Sequence, residues 1–162
     1  AGYADGLDVT LDVGNTSGVW QQRAAELFRE QAAPAGIRVK VNLMEPEAYQ
    51  AIWRTTPFGL TQWSHRPLGP MALSLAYRSH PPWTATGFAD PAFDAALTEA
   101  EALIDVFARR QAMQKVERIL QSAAVMAQPV WVPVFALASA RLQGFELAPT
   151  QYLALNDVWL GG

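Results

Sequence analysis

The chain has 162 residues, 51% of them hydrophobic and 17% charged, with a formal net charge of -3 and no cysteine. Length and apolar content suit one globular domain with a buried core and exclude a disordered chain. The missing cysteine excludes disulfide scaffolds, cysteine-ligated zinc, iron–sulfur clusters and thiol nucleophiles. Basic residues are mostly Arg and scattered, so the slightly acidic balance gives no electrostatic footprint for nucleic acid.

Ala1 to Gly6 show neither a basic region nor an apolar one, so they do not read as a signal peptide. The longest apolar stretch runs from Ala123 to Ala140. It is interrupted by Gln128, Pro129, Pro133 and Ser139, and two prolines in so short a run argue against a membrane helix. A buried strand with a flanking loop is expected there, with no membrane insertion.

Leu7, Val9, Leu11 and Val13 alternate with Asp8, Thr10 and Asp12, the period of a strand with one buried face. Gly14 to Gly18 break it and offer capping hydroxyls at Thr16 and Ser17. Trp20, Ala24, Leu27, Phe28 and Gln31 then fall three or four apart, predicting a helix that Pro34-Ala35-Gly36 ends. Ile37, Val39, Val41 and Leu43 alternate again, completing a βαβ unit. Glu45-Pro46-Glu47 opens a short helix with Tyr49, Ile52 and Trp53 on its apolar face. Phe58 to Trp63 reads as a third strand, Ser64 to Pro70 as a loop, and Met71 to Tyr77 as a short helix.

Asp90-Pro91 starts the next helix, with Phe93, Leu97, Ala100 and Ile104 as its stripe. Asp105 begins another, patterned by Ala112, Met113, Val116, Ile119, Leu120 and Ala123. Pro129 to Phe135 reads as a late strand, at an edge or bulged because proline cannot donate to a ladder. The tail has a turn at Gln143-Gly144 and no further assignment. The sum is α/β, a single domain over 1–162.

Chemistry is sparse. His65 and His80 sit in no metal-ligand spacing, and GxSxG, Walker and GxGxxG motifs are absent, so neither a metal nor a cofactor is expected. Asp8 and Asp12 read as the polar face of their strand, and Glu45 and Glu47 as complements to a helix start. The loop Trp63-Ser64-His65-Arg66 stands out, because it follows a strand end, where α/β sheets gather ligands. Trp63 offers an apolar face and Arg66 a five-donor fork for carboxylate or phosphate. The same residues read equally well as a strand-ending core Trp and a solvated Arg.

Six short motifs in order resemble the extracellular solute-binding proteins of the peptide/nickel class that serve ABC importers. They are Ala1-Gly2-Tyr3-x-Asp5-Gly6, Ala35 to Val39, Phe58-Gly59-Leu60-x-x-Trp63, Asp90 to Asp94, Asp105 to Leu120, and Pro129 to Val134. The resemblance implies one C-terminal lobe of a periplasmic-binding-protein-like (type II) fold, a mixed sheet with flanking helices, and binding without catalysis. It implies as partners a small-molecule solute, the permease subunits and a missing N-terminal lobe, with a periplasmic or extracytoplasmic location and a signal encoded upstream. Ligand contacts would fall on Trp63, Ser64, His65 and Arg66. Peptide-binding members carry Trp-x-x-Asp here, with the Asp meeting the peptide's amino group; Arg66 at the Asp position would repel an ammonium and favour an anion. A ligand-sensing domain of a transcription regulator, built on the same fold, is the alternative.

Overall fold

The computed structural model describes residues 3–80 and 83–162. Ala1 and Gly2 of the opening motif, and Pro81 and Pro82, lie outside the described residues. The chain divides into two compact units, Ala1–Trp63 with Leu75–Pro91, and Ser64–Ser74 with Ala92–Gly162.

The first unit is built on the βαβ element. Strand β1 (Leu7–Val13) pairs in parallel with β2 (Ile37–Leu43), in a register that sets Leu7 beside Ile37 and Val13 beside Leu43. Helix α1 (Trp20–Ala32) connects them, followed by a 3-10 turn over Ala33–Ala35. Gly36 ends that turn at φ 76°, a left-handed conformation open to glycine without strain, and its N–H closes onto Ala33 O. Alternation puts Leu11, Val13 and Val39 on one face, where they pack with Ala25 and Ala32 of α1 and with the half-buried Phe28, Phe58 and Leu60. A buried aliphatic side chain of this kind is worth about 1.5–3 kcal/mol.

On the opposite face, Arg38 clamps Asp8 through Nε and Nη2 at 2.7 and 2.6 Å. This hydrogen bonding holds the Asp8 carboxyl below its ordinary range and raises the Arg38 guanidinium. The polar-face reading of Asp8 and Asp12 is borne out.

Helix α1 departs from the expected stripe. Its buried positions are Gln21, Ala25 and Ala32, one residue round from the predicted Trp20, Ala24 and Gln31, and Leu27 is 53% exposed. The rotation follows from Gln21, whose Oε1 accepts the Ser17 N–H at 2.9 Å and so lets a polar side chain go inside. The expected capping hydroxyls are also replaced: Asn15 Oδ1 accepts the Gln22 N–H at 3.0 Å.

Helix α2 (Pro46–Ile52) starts as predicted, with Tyr49 buried. The third strand is reduced to one parallel bridge between Asp12 and Gly59, made by Asp12 N–H to Phe58 O and Leu60 N–H to Asp12 O.

Helix α3 (Gly69–Ala76) begins two residues before the expected Met71. Helix α4 (Pro91–Ala102) buries Phe93, Ala96, Leu97 and Ala100, an i, i+3, i+4, i+7 stripe. Ile104 falls off that stripe and is 93% exposed, because α4 stops at Ala102 and a new helix is capped at Asp105. In α5 (Val106–Ala123) Asp105 Oδ1 accepts the Ala108 N–H at 2.8 Å, and Val116 and Leu120 are buried. Lys115 of α5 reaches Glu99 of α4 at 3.8 Å.

Pro129 to Phe135 is neither paired nor buried, contrary to the strand expected there; Trp131 is 86% exposed. Two of its seven residues lack an N–H, and no strand among the described residues lies beside it. The tail holds a short antiparallel pair, β3 (Leu142–Gln143) with β4 (Trp159–Leu160).

Candidate functional site

The segment after β1 is held from its start. Asp12 Oδ2 accepts the Thr56 hydroxyl at 2.5 Å, and its Oδ1 accepts Asn42 Nδ2 at 2.8 Å, while its backbone bridges Phe58 and Leu60. One residue therefore ties β1, β2 and the 56–60 segment together, and that segment leads directly into Trp63. Below it lies Tyr49, 1% exposed, against Gly14 and Gly59, where an added Cβ would fall 2.2 Å from Tyr49 Cβ and 2.7 Å from its hydroxyl. Burial first, and the Asp12 charge second, push the Tyr49 phenol up to about 12.

Trp63 closes the first unit and is half-buried, its ring centroid 6.1 Å from that of Trp83 at a tilt of 45°. Trp83 is 45% exposed, so the two indoles offer apolar surface to solvent. Ser64, His65 and Arg66 open the second unit, the first two exposed and Arg66 half-buried. None of the three polar side chains has a hydrogen bond or ion pair among the described residues, which leaves the Arg66 fork uncommitted. Within the first unit the Trp63–Trp83 pair presents an aromatic face, which suits a planar or apolar group. Within the second, Arg66 presents a cation and Ser64 a hydroxyl, which suit an acidic group.

The Asp12–Thr56–Asn42 tie was not legible as a site. Asp12 and Asn42 share a register pair across β1 and β2, which a parallel register would have shown, but the reach of Thr56 has no sequence signal. A shallow depression of about 370 Å³ lies elsewhere, over Asp8, Thr10, Arg38 and Lys40; its Asp8 and Arg38 charges are already spent on each other. Among the described residues no three His, Asp or Glu side chains come together to hold a metal ion. No helix among them is long and apolar enough to cross a membrane.

The fold is α/β and is that of part of a periplasmic substrate-binding protein. The chain is similar to HbpA2 of Haemophilus parasuis at 22% identity and a TM-score of 0.72, over 98% of this chain and 33% of that one. It is also similar to the oligopeptide-binding protein AppA of Bacillus subtilis, solved with a nonapeptide, at 15% identity and a TM-score of 0.70, over 100% of this chain and 35% of that one. NikA of Staphylococcus aureus, solved with Ni(L-His)2, matches at 12% identity and a TM-score of 0.70, over 94% and 34%. The chain thus spans about a third of the length of each. No family model and no curated protein matches it.

Proposed function

We propose that these residues form one lobe of a two-lobed solute-binding protein for an ABC importer, acting outside the cytoplasm and delivering its solute to permease subunits. What carries the reading is coverage: nearly the whole chain superposes on a third of proteins whose solved structures hold a nonapeptide in one case and a nickel–histidine complex in another. The Trp63 to Arg66 loop supplies this lobe's share of the ligand contacts. Trp63 packs against an apolar part of the solute, and Arg66 pairs with a carboxylate or another anionic group. Binding, not turnover, is the activity. Affinity comes from closing two walls on the solute, so a single lobe binds weakly.

The test is native mass spectrometry of the full-length polypeptide that carries these residues, purified gently enough to keep its solute. A retained small molecule, lost on denaturation and bearing an acidic group, is the expected result. A retained cationic peptide would contradict the role of Arg66. An empty protein that ignores a broad solute panel would contradict the reading as a whole.

A further inference from the structure

Residues 57–63 lead to the Trp63–Trp83 pair with few fixed points. Among the described residues their backbone makes two hydrogen bonds, both to Asp12: the Asp12 N–H donates to Phe58 O at 3.0 Å, and the Leu60 N–H donates to Asp12 O at 3.1 Å. Thr61, Gln62 and Trp63 make none. Phe58 and Leu60 also pack on the core, Phe58 edge-on to Phe28 at 6.0 Å. Apolar packing is non-directional, so it selects the buried face of the segment and leaves its height along β1 loosely set. The directional contacts all belong to Asp12.

The Asp12 carboxylate adds one more at the segment's start. Its Oδ2 accepts the Thr56 hydroxyl at 2.5 Å, and its Oδ1 accepts Asn42 Nδ2 at 2.8 Å across the strand pair. Hydrogen bonds to a carboxylate are the shorter and stronger kind. Pro57 comes next, its φ locked by the ring, and Thr56, as the residue before proline, is steered to extended backbone. The chain between the tied hydroxyl and Phe58 therefore has little slack. Thr56 Cγ2 and the Tyr49 hydroxyl close on Gly59, where a Cβ would lie 2.8 and 2.7 Å from them. From Leu60 to Trp63 is at most about 10 Å of chain. A slip of one residue at the bridge, about 3.3 Å, carries to an indole whose centroid lies 6.1 Å from that of Trp83. Asp12, Thr56, Trp63 and Trp83 all belong to the first unit.

We propose that Asp12 is a positioning residue for solute binding: through the Thr56 hydroxyl it fixes the approach of residues 57–63 and so holds Trp63 against Trp83. Both of its carboxylate oxygens are taken, by Thr56 and Asn42, so it acts through Trp63 and not on the solute. This rests on the reading of Trp63 as a ligand contact above. A protein whose Trp63 is in place a tenth of the time binds about tenfold more weakly.

The test uses the full-length polypeptide labelled with fluorotryptophan, its Trp63 and Trp83 fluorine resonances assigned through Trp63→Phe and Trp83→Phe. Asp12→Ala removes both side-chain ties at once and endangers folding. The informative variants are Thr56→Val, which keeps the shape and loses the hydroxyl, and Thr56→Ser, which keeps the hydroxyl. In the solute-free protein, Thr56→Val should move the Trp63 and Trp83 resonances by more than a linewidth while the other tryptophans stay, and Thr56→Ser should leave all of them as in wild type. In native mass spectrometry after matched dialysis, Thr56→Val should keep about a tenth or less of the solute that wild type keeps. Unmoved resonances, or a movement shared by every tryptophan or by Thr56→Ser, would overturn the proposal and leave the solute-binding reading standing. Moved resonances with undiminished solute would overturn it too, because the indole pair would then lie away from the solute. Moved resonances in a protein that holds no solute even as wild type would uphold the hold of Asp12 on Trp63 and sink the solute-binding reading instead.

Discussion

Replacing Tyr49 with Phe should stabilise the chain and flatten its response to base. The side chain is 1% exposed, and its hydroxyl has no hydrogen-bond partner among the described residues. A buried, unpartnered hydroxyl costs roughly 1–3 kcal/mol, so its removal should return about 1 kcal/mol at neutral pH. The phenol stands at about 12 in the fold against 10.0 unperturbed, chiefly through burial. The unfolded chain therefore loses its proton first as pH rises. The stability linked to Tyr49 is intact below pH ~10 and falls by about 1.4 kcal/mol per pH unit until the folded phenol also ionises. From pH 7 to 11 the wild type should lose about 1.4 kcal/mol on this account, and Tyr49→Phe should not. Tyr77, also raised by burial, leaves a residual slope of the same sign in both proteins. Urea denaturation followed by circular dichroism at pH 7, 9, 10 and 11 measures both quantities. A variant more than about 1 kcal/mol less stable at pH 7 would refute the reasoning by showing that the hydroxyl has a partner, and an unchanged alkaline slope would refute it by showing that the Tyr49 phenol is not raised in the fold.

Three further perturbations follow from the same packing and site. Gly14→Ala would place a methyl 2.2 Å from Tyr49 Cβ. Overpacking of this kind costs about 1–3 kcal/mol, and a thermal midpoint within a degree of wild type would contradict it. Asp105→Ala removes the acceptor that caps α5 at Ala108 N; a loss of about 1 kcal/mol with faster exchange of the Ala108 amide is expected. In the full-length protein, Arg66→Asp should weaken an anionic solute by about tenfold or more in calorimetric titration, and unchanged affinity would remove Arg66 from the site.

Periodicity carried most of the regular structure. Strict alternation in Leu7–Val13 and Ile37–Leu43, and Asp-Pro and Asp starts at α4 and α5, are local signals that the fold obeys. What failed depended on partners outside the local window. The face of α1 differs from the periodicity because Gln21 is polar by type yet buried, its Oε1 accepting the Ser17 N–H while its Nε2 has no partner among the described residues. Ile104 fits the 3.6-residue pattern but lies beyond the point where Asp105 starts a new cap. Phe58 to Trp63 has strand composition, but among the described residues only Asp12 bridges it. Residues 129–135 have the composition of a buried strand, and composition says nothing about which polypeptide does the burying. As for the candidate site, Trp63 to Arg66 stood out as unusual chemistry after a strand; the Asp12 tie and the contact of Trp63 with Trp83 arise only in three dimensions.

Small-angle X-ray scattering of the full-length polypeptide, with its solute and after the solute is stripped, addresses the central claim most directly. Two lobes that close on a hinge give a smaller radius of gyration with solute bound than without it. Identical scattering curves for the loaded and stripped protein would contradict closure of this lobe on a solute.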